Sequence, residues 1–217
     1  MIGVPLLYDK IKHGLQNNFR SQSFGARLLL GFLRGISAFF TTGLGIPAGK
    51  KLFAFLRKKA GLNSLRLLVA GGGPLQKATA DFFQILGFNI VQGYGMSENG
   101  PLIATNLVED VHNESVGYPV KYTDIQIREP NASGIGEIVV KSPSLMQGYF
   151  KNPEATEQIF TEDGYLKTGD LGIFDTRGRL YIKGRKKNII VTEGGKNIFP
   201  EEIEAYFNNS RIIGEIM

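Results

Sequence analysis

The chain has 217 residues, 42% hydrophobic and 21% charged, with a formal net charge of +5. That is enough to pack one or two domains and too apolar for a disordered state. The absence of cysteine excludes disulfide scaffolds, thiolate catalysis and cysteine-ligated zinc, and the mild basic excess suits an anionic ligand or simply a solvated surface.

Residues 1–62 read mostly as helix. Leu52, Phe53, Phe55 and Leu56 recur near helical spacing among Lys50, Lys51, Arg57, Lys58 and Lys59, and Gly61 is a plausible stop. Residues 43–47 read as a loop. The most apolar stretch, residues 24–40, carries Arg27, Arg34 and three glycines, so no run is expected to reach bilayer-spanning length. This stretch reads either as an ordinary buried helix or as a contact with a lipid surface or an acyl tunnel. The opening lacks the basic-then-apolar layout of a secretory signal. A cytoplasmic protein is the default expectation, membrane-peripheral if residues 24–40 meet lipid. His13 and His112 lie far apart, and no motif beside them supports a histidine-based metal centre or a Ser-His-Asp triad.

Residues 65–98 read as one βαβ unit. Residues 65–70 form a short apolar run suited to a strand covered on both faces. Gly71, Gly72, Gly73 and Pro74 break it, and Ala78, Phe82, Phe83, Ile85 and Leu86 mark the apolar stripe of a helix ended by Gly87. Residues 88–92 are the next strand, which implies a parallel pair with a right-handed crossover. Short β runs then alternate with turns at 124–128, 136–141, 171–174 and 179–183, with a hairpin loop at 175–178 and a short helix from Pro153 to Phe160. Beyond Arg185 and Lys187 a strand is expected at 188–192, a helix at 200–208 and a last strand at 212–217. About thirty residues cannot bury a core of their own, so a C-terminal domain is expected to be cut short.

The expected fold is α/β. Residues 1–114 form part of a parallel-sheet subdomain of a larger domain. Residues 115–185 form a β-rich, barrel-like subdomain of the same domain, and residues 186–217 begin a small α+β domain.

In a parallel sheet the loops after the strand C-termini share one edge, where ligands bind. Gly71 to Pro74 follows one strand and Gly93 to Glu98 follows the next, so both are expected to line one cleft. Glycine lets backbone approach a ligand closely. Ser97 offers a hydroxyl to a phosphate oxygen, Glu98 a hard oxygen to Mg²⁺, and Tyr94 a flat face to a nucleobase. Each signal alone has a plain alternative: a common glycine turn, an exposed helix start at Ser97 and Glu98, a bare β-turn at Asp170, and a solvated basic loop at Arg185 to Lys187.

Together the motifs are more specific. Gly93-Tyr94-Gly95-Met96-Ser97-Glu98, Tyr165-Leu166-Lys167-Thr168-Gly169-Asp170 and Gly184-Arg185-Lys186-Lys187 resemble, in order and spacing, the motifs of the AMP-forming acyl-CoA synthetase family. Gly71 to Leu75, Gly148 to Thr156 and the opening Val4-Pro5 resemble further segments, the last from its long-chain fatty acyl members. The resemblance covers essentially the whole chain.

It implies ATP-dependent activation of a fatty acid to acyl-AMP with release of pyrophosphate, then transfer to CoA as co-substrate with release of AMP, in a Mg²⁺-dependent ligase. It carries Tyr94 over as the adenine-stacking aromatic, with Gly72, Gly73 and Pro74 bordering the base. Ser97 touches the α-phosphate in place of the more usual threonine, and Glu98 is the Mg²⁺ ligand. Asp170 accepts the ribose hydroxyls, Arg185 lies near ribose and phosphate, and Lys187 is the hinge. Ser97, Glu98 and Arg185 are the catalytic candidates; Gly93, Gly95, Met96 and Ile182 complete the nucleotide-binding set. The family's loop ending Pro-Lys-Gly and its late catalytic lysine have no counterpart here. Neither Lys187 nor Lys196 takes the lysine's place. The chain is therefore expected to be a fragment and nearly inactive alone. The rivals are ligases for other acyl or aryl acids, including o-succinylbenzoate, and a non-catalytic adenylate-binding module. Nucleic-acid binding is not expected, because the basic clusters lack interleaved aromatics. The sequence leaves acyl length, CoA versus another acceptor, and oligomeric state open.

Overall fold

A computed structural model describes residues 1–59, 61–191, 197–200 and 203. The chain is a mixed α/β protein with two compact units. The first comprises Met1–Gly93 and Asn106–Glu114; the second comprises Tyr94–Thr105 and the described residues from Ser115 onward.

In the first unit, β1 (Ile2–Gly3) and β2 (Leu68–Ala70) pair in parallel, and β2 pairs in parallel with β3 (Ile90–Gly95), with Ala70 opposite Gln92. The expected βαβ unit is therefore present, with α5 (Lys77–Ile85) as its crossover helix. The strand expected at 65–70 is shorter, and β1 was not anticipated: two residues are too few to show a period. Tyr8 on α1 (Pro5–Arg20) is fully buried, packs edge-on to Phe83 at 5.8 Å, and donates its hydroxyl to the Val69 carbonyl at 2.8 Å. Lys12, one turn further, is also buried; its ammonium donates to Thr79 Oγ1 at 3.0 Å, and Thr79 in turn donates to Asp9. Burial of a cation is tolerated because that network supplies acceptors.

Helix α2 (Phe24–Ala38) continues through a π-turn at Phe39–Gly43. The helical window Phe24–Thr41 is 18 residues long and, by length and composition, apolar enough to cross a bilayer. This corrects the expectation, based on Arg27, Arg34 and the three glycines, that no run reaches that length: the helix runs through all five. Gly25, Gly31 and Gly35 sit where an added Cβ would touch nothing within 4 Å, so they weaken the helix without ending it. Helices α3 (Gly49–Leu52) and α4 (Ala54–Lys59) follow, with a break at Phe53 in what read as one helix. Arg57 ties them down, donating to the carbonyls of Gly87 at 2.6 Å and Lys50 at 2.7 Å.

The second unit holds a four-stranded antiparallel sheet, β6 (Asp124–Arg128), β7 (Gly136–Lys141), β8 (Leu166–Phe174) and β9 (Leu180–Arg185), in sequential order. A short antiparallel pair, β4 (Leu102–Thr105) with β5 (Tyr118–Pro119), was not foreseen. Ile103, Ala104, Ile138, Val140, Leu166 and Leu180 make the core of this second unit. Helix α6 (Pro153–Ile159) starts at Asn152, whose side chain accepts from the Ala155 amide at 3.1 Å, as an N-cap residue does. After a tight turn at Lys186–Asn188, β10 (Ile190–Val191) pairs with β11 (Asn197–Ile198). The expected helix 200–208 and strand 212–217 fall, but for Pro200 and Ile203, outside the described residues, as does Lys196.

Candidate functional site

Strand β3 ends in Tyr94 and Gly95. At Gly95 a Cβ would lie 1.8 Å from the Pro101 carbonyl oxygen, a position only glycine can occupy. That closeness lets the Met96 amide donate to the same oxygen at 2.8 Å, closing the loop 96–101. Ser97, Glu98 and Asn99 form one turn of 3-10 helix, ended by Gly100 in the left-handed conformation at φ 63°. Asn99 is fully buried; its amide nitrogen donates to the Leu102 carbonyl at 3.1 Å, and its oxygen accepts from Ser142 Oγ at 2.6 Å. The Met146 amide donates to the Glu98 carbonyl at 2.8 Å. The turn carrying Ser97 and Glu98 is thus held from both sides.

Thr168, Gly169 and Asp170 do not form a free turn. They lie inside β8, where Lys167 pairs with Val139 and Leu171 with Glu137, so three residues face Ile138 alone. This is a wide bulge, with Gly169 at φ 71°, and bulges re-aim side chains. Thr168 fixes it: its hydroxyl donates to the Ile138 carbonyl at 2.8 Å and accepts from the Asp170 amide at 3.1 Å.

The Asp170 carboxylate is thereby presented to Tyr94, whose hydroxyl donates to Oδ2 at 2.7 Å. Arg185, opposite Asp170 in the β8–β9 register, brings Nε to 3.4 Å from Oδ1. Burial first, and then the Asp170 charge, hold the Tyr94 phenol well above its ordinary pKa, so it remains a donor. A carboxylate offers about four lone-pair sites. Tyr94 and Arg185 engage one on each oxygen, which leaves acceptor capacity for a vicinal diol.

Glu98 has a partner that the sequence did not reveal. The Tyr149 hydroxyl donates to Glu98 Oε1 at 2.9 Å. Burial first, and then Glu98, raise the Tyr149 pKa. The Tyr149 backbone is anchored by its amide donating to Thr156 Oγ1 at 2.9 Å. Among the described residues no group of three or more His, Cys, Asp or Glu could hold a metal ion. A protein cage for Mg²⁺ is not what these residues offer. A single carboxylate with its second oxygen open fits the usual arrangement, in which one or two carboxylates share Mg²⁺ with substrate phosphates.

The remaining candidates fall into three places. Met96 and Ile182 pack, with Tyr94, against the core of the second unit. Ser97 is exposed on the turn beside Glu98. Lys187 is exposed on the turn after β9, while its neighbour Lys186 donates to Glu137 at 2.6 Å. Gly72, Gly73 and Pro74 belong to the first unit, where Gly71 and Gly93 leave adjacent parallel strands and a Cβ on Gly71 would lie 3.7 Å from the Gly93 carbonyl oxygen. Thr168 and Tyr149 are the positions that sequence reasoning passed over. Both lie within motifs that resemble the family's, but the contact between Tyr149 and Glu98 spans 51 residues.

The model of the family described as AMP-binding enzyme matches residues 1–150. The chain belongs to the AMP-binding enzyme family. It is 34% identical, over 94% of its length and 32% of the other's, to the Drosophila melanogaster protein named long-chain-fatty-acid--CoA ligase heimdall. Among solved structures it is similar to o-succinylbenzoate CoA synthetase (MenE) from Bacillus subtilis in complex with the acyl-adenylate intermediate OSB-AMP. The TM-score there is 0.63 and the identity 32%, covering 76% of this chain and 35% of that one. It is likewise similar to ATP-bound MatB from Rhodopseudomonas palustris, with TM-score 0.62 and 30% identity over 74% of this chain and 34% of that one. This AMP-binding chain spans about a third of the length of the relatives it matches.

Proposed function

We propose that this chain supplies the adenosine-binding wall of a ligase that activates a long-chain fatty acid with ATP and passes the acyl group to CoA. The observation that carries the reading is the Asp170 carboxylate, turned out by a glycine bulge and held at 2.7 Å by the Tyr94 phenol, with Arg185 beside it. A fixed carboxylate accepts both hydroxyls of a ribose. The Tyr94 ring offers a stacking face to the base. Ser97 donates to the α-phosphate, and Arg185 neutralises charge where it develops. Glu98 would hold Mg²⁺ together with the substrate phosphates, where the ion would supply neutralisation of their oxygens. Lys187 lies at the pivot between two half-reactions. Acyl-AMP formation releases pyrophosphate; attack by the CoA thiolate on the acyl carbonyl then releases AMP.

Long-chain specificity is supported by the relative named for it. The likeness to MenE and MatB favours a second reading, adenylation of another acid. Pyrophosphate release by the intact enzyme, measured with palmitate, octanoate, o-succinylbenzoate and malonate, decides between them. Preference for palmitate is expected; a stronger response to either diacid overturns the long-chain reading. The chain alone is expected to bind AMP without turnover, and failure of the Asp170→Asn variant to weaken AMP binding would sink the adenosine wall.

A further inference from the structure

Helix α2 has its amphipathicity reversed. Leu30 and Ser37 are buried, and Ser37 Oγ donates to the Ile85 carbonyl at 2.6 Å. One face of the helix therefore lies on the first unit. The opposite face should be polar in a helix bathed by water. Instead it carries Phe24, Leu28 and Phe32, four residues apart and 80%, 67% and 66% exposed, with Leu29 and Phe39 beside them. Gly25, Gly31 and Gly35 lie among them, so nothing polar interrupts this face. Contiguous apolar surface of this kind marks an interaction site.

Charge identifies the partner. Between Asp9 and Asp81 the sequence holds twelve Lys and Arg and no Asp or Glu, while the remainder of the chain carries a net negative charge. Arg27 and Arg34 lie on α2 itself, and Lys50, Lys51, Lys58 and Lys59 are exposed on the two helices that follow. Because α2 is packed along one side on the protein, it cannot cross a bilayer while keeping that seat. An exposed apolar face flanked by a basic stretch of sequence without acids is the pattern of a helix lying in the plane of an anionic membrane surface.

We propose that the exposed face of α2 docks this protein on the surface of a bilayer carrying anionic headgroups. Phe24, Leu28 and Phe32 enter the boundary between headgroups and acyl chains, and the arginines and lysines lie among the headgroups. The inference is independent of the adenylate reading.

The test is co-sedimentation of the protein with vesicles of phosphatidylcholine alone and of phosphatidylcholine doped with phosphatidylglycerol. Each cation near the surface is worth about fivefold in partition, so binding should favour the anionic vesicles by at least about tenfold and fall steeply with salt. Phe24→Ser with Phe32→Ser should lower binding to anionic vesicles by about tenfold or more. Both positions are exposed, so the thermal midpoint and AMP affinity should stay at wild-type values. Lys58→Glu with Lys59→Glu should reduce the preference for anionic vesicles and leave binding to neutral ones unchanged. Three results overturn the proposal. One is no binding to anionic vesicles. Another is equal binding by wild type and the Phe24/Phe32 double variant. The third is a dimer, seen by light scattering without lipid, that the same double variant dissociates, because a second copy would then be the occupant.

Discussion

Tyr94→Phe and Asp170→Asn, taken singly and together, separate the structural and the ligand-binding roles of one contact. The Tyr94 hydroxyl donates to a charged oxygen at 2.7 Å, and hydrogen bonds to charged groups contribute about 1.5–3 kcal/mol. Asp170 keeps Arg185 at 3.4 Å, but that guanidinium side chain is 73% exposed, so their pairing contributes under about 1 kcal/mol. Tyr94→Phe should therefore cost about 1.5 kcal/mol, the low end, because the pair is only partly buried. In a chain of this size that lowers the melting midpoint by about 3–6 °C. AMP affinity should change by less than about threefold, since the ring remains and a lone pair on Asp170 is released. Asp170→Asn should weaken AMP by about a hundredfold or more, the loss of two charge-assisted acceptor bonds. Isothermal titration with AMP and with its 2′,3′-dideoxy analogue is the assay. If Asp170 accepts the ribose hydroxyls, the variant binds the dideoxy analogue as wild type does. Equal losses for both nucleotides would refute the reasoning, because Asp170 would then be shaping the site rather than reading the sugar.

Gly95→Ala drives a Cβ into the Pro101 carbonyl oxygen. It should cost at least about 1–3 kcal/mol in thermal unfolding and displace the turn bearing Ser97 and Glu98, with AMP affinity down about tenfold. Tyr149→Phe removes the donor that orients Glu98; the Mg²⁺ concentration for half-maximal pyrophosphate release by the intact enzyme should rise about tenfold, while Mg²⁺-free AMP binding stays unchanged. Asp175 sits in the β8–β9 hairpin, where burial raises its pKa but is outweighed by hydrogen bonds from the backbone and side chain of Arg179 and the backbone of Arg177, which hold it at about 2. A depressed carboxyl pKa gives stability that is complete above the unfolded value of 3.8 and is lost as pH falls through about 2. Asp175→Asn should therefore lower the urea midpoint near neutral pH and meet the wild-type curve at the acid end; parallel curves would count against it.

The βαβ unit was legible because its strands centre on short apolar runs, Leu67 to Ala70 and Ile90 to Val91, with glycine close behind, and its helix shows a stripe at Ala78, Phe82, Phe83, Ile85 and Leu86. Strand β1 was not, because Ile2 and Gly3 are too few to carry a period, and their status rests on a partner 67 residues away. The same limit applied at Asp170. Spacing alone allowed a plain turn, since a bulge is defined by the opposite strand, and Ile138 is far off in sequence.

What the sequence could not convey at α2 was which side of an apolar helix faces the protein. Phe24 to Phe40 reads as a core helix because nearly every position can be buried. Only the seat made by Leu30 and Ser37 shows that Phe24, Leu28 and Phe32 are the side left over. The Thr-Gly-Asp bulge shows the same dependence at the scale of one residue. A carboxylate on a regular strand would alternate with the pleat and pair across it. Left-handed Gly169 and the Thr168 hydroxyl break that alternation, so Asp170 meets Tyr94 and Arg185 with lone pairs to spare. Substituting Gly169 should therefore return Asp170 to the pleat and remove its contact with Tyr94, though an added Cβ there would touch nothing within 4 Å. The constraint at Gly169 is conformational, whereas at Gly95 it is steric.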